Sequence, residues 1–161
     1  MNKNFKARVF LLSLAISLSG NASVALAEFR ISYVPIAVDD ITIVIPVANL
    51  DTDGDGIPDY DDPSIPPEEV FNGFGSALIA GNFDAAVKFI SPSKRDTFEQ
   101  AFTQLGSVSG SVMTGITDTT VISSGPNMME LGVNRMVDGK LRAYIVTLMK
   151  GGDGVWRISE M

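Results

Sequence analysis

Cysteine and histidine are both absent from this chain, and each absence removes a class of chemistry. Without cysteine there are no disulfides and no thiol for a lipid to join, so 161 residues must rely on an apolar core or a bound ion. Without histidine the usual zinc ligand is missing, and so is the usual general base near neutral pH. No serine here, including Ser91 and Ser93, has an imidazole to activate it. Basic residues are few, 12 against 19 acids, for a formal charge of −7, which makes nucleic acid an improbable partner.

What charge there is lies unevenly. Residues 51–69 hold eight acids and no base, whereas the remainder beyond them is close to balanced. The acidity therefore belongs to one stretch and not to a general surface field. At the other extreme, residues 1–27 carry only Lys3, Lys6 and Arg8 in front of an apolar run, 9–18, and then Ala25-Leu26-Ala27. These are the three parts of a secretory signal, with cleavage expected after Ala27. A membrane anchor needs about 20 apolar residues, and this run is shorter and breaks at Ser19-Gly20-Asn21. The expected product is exported to the periplasm or beyond the cell, has no membrane span once the signal is removed, and starts at Glu28. Loss of three bases and no acid takes its charge from −7 to −10.

The acidic stretch has an internal order. In Asp51-Thr52-Asp53-Gly54-Asp55-Gly56-Ile57-Pro58-Asp59-Tyr60-Asp61-Asp62, carboxylates fall at the first, third, fifth, ninth and twelfth places and glycine at the sixth. Hard cations with many oxygen ligands require carboxylates on alternate residues, and a glycine where the chain reverses. The ligands expected for Ca2+ are Asp51, Asp53, Asp55, the backbone carbonyl of Ile57, Asp59 directly or through water, and Asp62. The alternative is an acidic, solvated linker, since Asp, Gly and Pro are also loop formers. An unselected linker has no reason to place five carboxylates and the glycine in register.

An EF-hand is a poor match. Pro58 removes a backbone N–H at the eighth place, prolines at 46, 63, 66 and 67 leave little room for flanking helices, and the twelfth place is Asp and not Glu. The pattern Asp-x-Asp-x-Asp-Gly-x-x-Asp-x-x-Asp instead resembles the thrombospondin type 3 calcium repeat, in a single copy over 51–62 and without the cysteines of the animal version. That resemblance implies extracellular calcium held for structure. A lone copy does not imply a calcium-filled rod.

Around this loop the chain divides into a signal (1–27), an extended segment (28–50), the loop (51–63) and a C-terminal domain (64–161). The extended segment holds two runs rich in β-branched residues, 30–38 and 41–47, split by Asp39-Asp40. It reads either as edge strands docked on a neighbour or as a tether. In the C-terminal domain, helices are expected from Pro67 to before Gly81, from Asn82 to Ser91-Pro92, and from Ser91 or Ser93 to before Gly106. A Gly/Ser-rich connection over 106–115 then leads to strands at 119–124, 128–137, 140–149 and 155–160, with a hairpin at Asp138-Gly139 and a looser one at 150–154. The fold class is α+β: three helices packed on a curved antiparallel meander, preceded by the calcium loop and the extended segment.

Three stretches of this domain resemble the nuclear transport factor 2-like group: Phe74-x-x-Ala77-Leu78-x-x-Gly81-Asn82-Phe83-Asp84-x-Ala86, Arg95-Asp96-x-Phe98-x-x-x-Phe102-x-x-Leu105, and Gly152-Asp153-Gly154-Val155-Trp156-Arg157-Ile158. The resemblance implies a fold and little chemistry. Some enzymes of that group use an acidic base with a tyrosine in a pocket between helices and sheet. The polar groups available for such a pocket are Tyr144, Arg142, Glu130 and Asn134, which fall short of an acid/base constellation. No catalytic residue is assigned, and the expectation is a non-enzymatic calcium-binding protein. The alternative is an enzyme or small-ligand carrier. A second copy of the chain, through the open sheet face, or another exported protein is the expected macromolecular partner.

Overall fold

A computed structural model describes residues 31–38, 41–106 and 108–161. The proposed signal, residues 28–30 and the Asp39-Asp40 break lie outside the described residues. The architecture is α+β, with a four-stranded antiparallel sheet and several helices. Strands β1 (Ile31–Val38) and β2 (Ile41–Ala48) form a separate antiparallel pair, and β2 runs beside α1. No described helix is long and apolar enough to cross a membrane.

Helix α1 (Pro67–Ile79) begins with proline at its first position and Glu68 and Glu69 in its first turn, where acids meet the positive end of the helix dipole. Its buried face holds Val70, Phe71, Phe74, Ala77 and Leu78, the 3–4 spacing of a helix lying on a core. The Asn82 side chain caps α2 (Phe83–Lys88) by accepting from the N–H of Ala85 at 3.1 Å. That helix is shorter than its apolar spacing suggests. Ile90 has left the helix and forms a parallel bridge with Ile158; the Ser91 N–H donates to Ile158 O and the Ile158 N–H to Phe89 O. Neither Ser91 nor Ser93 caps the next helix. A 3-10 turn (Pro92–Lys94) precedes α3 (Arg95–Leu105), and Arg95 reaches back to the carbonyls of Lys88 and Ile90. Its guanidinium thus serves the C-terminal end of α2.

The expected Gly/Ser-rich connection is the main departure. Residues Val108–Thr114 form a further helix, α4, in which Ser109 and Met113 are buried. Propensity argues against helix here, and packing overrides it. A Cβ on Gly110 would sit 3.2 Å from Ile79 Cα and from Leu78 O, so a side chain there would push α4 away from the end of α1 by a few tenths of an ångström or more. The hydroxyls of Ser109, Ser111 and Thr114 donate back to carbonyls three residues earlier, which satisfies them inside the helix.

Strands β3 (Ile116–Ser124), β4 (Met128–Val137), β5 (Lys140–Lys150) and β6 (Trp156–Glu160) pair in that order as an antiparallel meander, with bulges interrupting β3. Asp138 and Gly139 both have positive φ, the geometry of a tight two-residue hairpin. One sheet face is buried against the helices through Met129, Leu131, Val133, Val146, Leu148, Trp156 and Ile158.

Gly110→Val should lower stability by about 1–3 kcal/mol through overpacking between α1 and α4. Gly152→Ala, with open space around the added methyl, should stay within about 0.5 kcal/mol. Urea denaturation of both variants checks the close helix approach, and equal effects would contradict it.

Candidate metal centre

The loop between β2 and α1 closes on itself before it meets any ion. The Asp59 N–H donates to Leu50 O at 2.7 Å, so the two ends of the loop are tied at its base. Leu50 and Tyr60 flank that tie, and both pack against the core. The Tyr60 and Phe89 rings meet edge to face at 5.5 Å, and Lys88 Nζ stands 4.8 Å from the centre of the tyrosine ring. Ile65, just past the loop, is buried in the same core.

Within the loop, carboxylates hold the backbone. Asp51 accepts from the N–H groups of Gly54 (2.8 Å) and Gly56 (3.1 Å), Asp53 from that of Asp55 (3.2 Å), and Asp55 from that of Ile57 (2.7 Å). Gly54 and Gly56 take φ of 79° and 89°, a region open to glycine at little cost, so the chain can coil inward twice. The sequence pattern singles out Gly56 alone. The outcome is that carboxylate oxygens of Asp51, Asp53 and Asp55 lie within 4.8 Å of one another. Three like charges at that separation repel, and a divalent cation among them would remove the repulsion.

The other two expected ligands are placed differently. Asp59 and Asp62 lie outside that three-residue group and are buried, at 0 % and 2 % exposure. One oxygen of each is engaged: Asp59 Oδ1 accepts from both the N–H and the hydroxyl of Thr52, and Asp62 Oδ1 from the N–H of Ser64. The remaining Oδ2 of each is buried without a hydrogen-bond partner. Burial raises the Asp59 carboxyl above its ordinary value; the Thr52 bonds pull it down, and the charges of Asp51 and Asp53 push it up again. Buried unpartnered carboxylate oxygens are costly unless something positive meets them. A hard cation with oxygen ligands fits the Asp51, Asp53 and Asp55 group. Ile57 has an exposed side chain at the reversal of the loop.

Two contributors escape the ligand pattern. Thr52 sits on an outward place of the ladder, yet it makes both hydrogen bonds to Asp59. Gly73 is the second: a Cβ there would overlap the Phe89 ring at 2.7 Å, while Asp59 Oδ2 would stand at an ordinary contact distance of 3.6 Å, so a bare α1 backbone makes room for Phe89 beside the buried carboxylate. The available signal was a glycine inside an otherwise good helix.

The pocket side chains do not converge. Tyr144 and Arg142 lie on the helix-facing side of β5 with Val146 and Leu148, as strand alternation predicts. Glu130 and Asn134 fall on the opposite face, because their β4 neighbours Met129, Leu131 and Val133 take the inward positions. The cavity beside Tyr144 is about 150 Å³, below the roughly 300–1,000 Å³ of small-molecule sites. Its described lining includes Arg135 but no Asp or Glu side chain.

Comparison with protein-family models, with curated proteins and with solved structures gives no match. The class defined by the coordinates is thus an α+β domain with an acidic loop at its N-terminal side that could hold a metal ion.

Asp59→Asn should reveal the cost of the buried charge. It keeps the acceptor for Thr52 and removes an unpartnered anion, so in chelator it should be as stable as the natural chain or more so, by on the order of 1 kcal/mol. In millimolar calcium it should be the less stable of the two. Urea denaturation under both conditions measures this, and a variant equally destabilised in both would count against Asp59 as part of a cation site.

Proposed function

We propose that this chain is an exported, soluble calcium-binding protein of non-enzymatic role, in which Ca2+ fixes the stretch where the chain enters a small α+β interaction domain. The observation that carries the reading is the register of the loop together with its geometry: Asp51, Asp53 and Asp55 drawn within 4.8 Å, and two buried carboxylates each with an unpartnered oxygen. Asp51, Asp53, Asp55, the Ile57 carbonyl, Asp59 and Asp62 would hold the ion. Calcium would supply charge neutralisation and a common anchor for oxygens on both sides of the loop.

Export rests on the tripartite pattern of residues 1–27. The domain, read as 64–161, is taken to be of the nuclear transport factor 2-like type; the order of its helices and meander and its buried Trp156 support that reading. The rival reading, an enzyme or carrier using the cavity at Tyr144, has less support, since the cavity is small and no acid joins the tyrosine there.

Calorimetric titration should find one calcium site with a dissociation constant on the order of 10⁻⁴ to 10⁻³ M, the range of extracellular modules. At ten times that concentration the ion should add about 1.4 kcal/mol of stability, a rise of roughly 5–10 °C in Tm for a domain of this size. Asp53→Ala and Asp55→Ala should abolish both signals. Absence of heat and of any thermal shift at millimolar calcium would reject the proposal.

A further inference from the structure

The end of the sheet at the β4–β5 hairpin carries a feature that neither the calcium loop nor acid/base chemistry uses. Arg135 and Arg142 are directly opposite one another across β4 and β5, on the helix-facing side that Val133 and Val146 share further along. Strand alternation puts Lys140 and Tyr144 on the same side, two residues before and two after Arg142. The helices leave this end uncovered: Lys140 and Arg142 are exposed, and Tyr144 is 44 % exposed. Three of the eight bases in residues 31–161 thus stand on one small area of an acidic chain.

Such a grouping is unfavourable by itself. Directly opposite residues have Cβ atoms about 4.5–5.5 Å apart, and like charges in that position repel. No side chain offsets the repulsion: among the described residues none of the three bases makes an ion pair, and Arg135 Nε is buried without a hydrogen-bond partner. Of the acids nearby, Asp138 is in the turn and Asp118 pairs with Asn134 on the opposite sheet face. The stem of Arg135 is nonetheless held. It lies across bare backbone at Gly115, where an added Cβ would stand 3.4 Å from its Cγ and 3.1 Å from its Nε. A guanidinium fixed in place with its charge unmet suits an oxyanion, which takes two parallel N–H bonds from the planar fork.

Beside this group opens the cavity of about 150 Å³, which Arg135 and Tyr144 line together with Phe71, Phe74, Met113, Val133 and Val146. An apolar cavity of that size admits one benzene-sized group. The acidity of the chain selects further. An extended polyanion would meet the field of a net negative molecule, whereas a small monoanion answers to the local bases. We propose that Arg135, Arg142, Lys140 and Tyr144 form a binding site for a small aromatic carboxylate, with the carboxylate between the two guanidinium groups and the ring in the cavity. The anion accepts from both arginines, which removes their mutual repulsion, and from the Tyr144 hydroxyl; Lys140 adds positive charge at the rim. The site is one of binding alone, since no Asp or Glu lines the cavity to act as a base, and it does not depend on the calcium loop.

Calorimetric titration of the purified protein with benzoate, in chelator, should give one site with Kd on the order of 1 mM or below. Benzyl alcohol keeps the ring without the charge, and inorganic phosphate keeps charge without the ring; each should bind at least about tenfold more weakly. Arg142→Gln should weaken benzoate about tenfold and leave benzyl alcohol unchanged, with the urea midpoint kept because the side chain is exposed. Arg142→Lys should recover part of the lost affinity. Arg135→Gln gives the same reading from the buried side, and the exposed Arg142 keeps the test sound if that variant folds poorly. Absence of heat with benzoate at about 10 mM overturns the proposal. So does phosphate or benzyl alcohol binding as tightly as benzoate, and so does a benzoate affinity indifferent to both Arg142→Gln and Arg135→Gln.

Discussion

Asp59 is a fully buried carboxylate with one oxygen satisfied twice by Thr52 and the other by nothing. Much of the N-terminal half of the domain is arranged around that group. Its own N–H ties the loop to Leu50, the next residue, Tyr60, packs on Phe89, and Gly73 strips α1 to bare backbone where the Phe89 ring comes in beside the carboxylate. A buried anion half satisfied is unfavourable by itself, and the surrounding contacts keep it in place at that cost. The loop and the core are thus not separable units. Whatever changes the charge environment of Asp59 acts on the packing of α1 and α2 through Tyr60 and Phe89.

Much of this was legible in the residues. The helix limits at Pro67, Gly81 and Gly106, the four strands and the Asp138-Gly139 hairpin all follow from period and punctuation, because these are local rules that tertiary structure here did not override. Helix α4 was not legible, since its glycine and serines are poor helix formers, and the surface that Gly110 approaches, at Leu78 and Ile79, is distant in sequence. The end of α2 was misread for a related reason: Phe89 and Ile90 have helical spacing, but β6 competes for their backbone.

In the loop, the alternating pattern singles out the carboxylates and not their environments. Alternation places Asp51, Asp53 and Asp55 together near solvent, as expected of side chains that all turn inward. The burial of Asp59 and Asp62 depends on α1 and on the core beyond it, which no local pattern encodes. Glu130 and Asn134 show the converse limit. Period two tells which residues share a face, yet which face is covered depends on the bulk of the neighbours, and here Leu131 and Val133 decide it.

Strand β6 has an implication for the timing of folding. It follows the other described elements in the chain, and it supplies both the outer rung of the meander on β5 and the bridge that holds Phe89, Ile90 and Ser91 beside the sheet. Until those residues emerge, the segment after α2 has no backbone partner and the face under Trp156 stays open. A polypeptide built this way cannot close its core over the segment after α2 until that strand is in place.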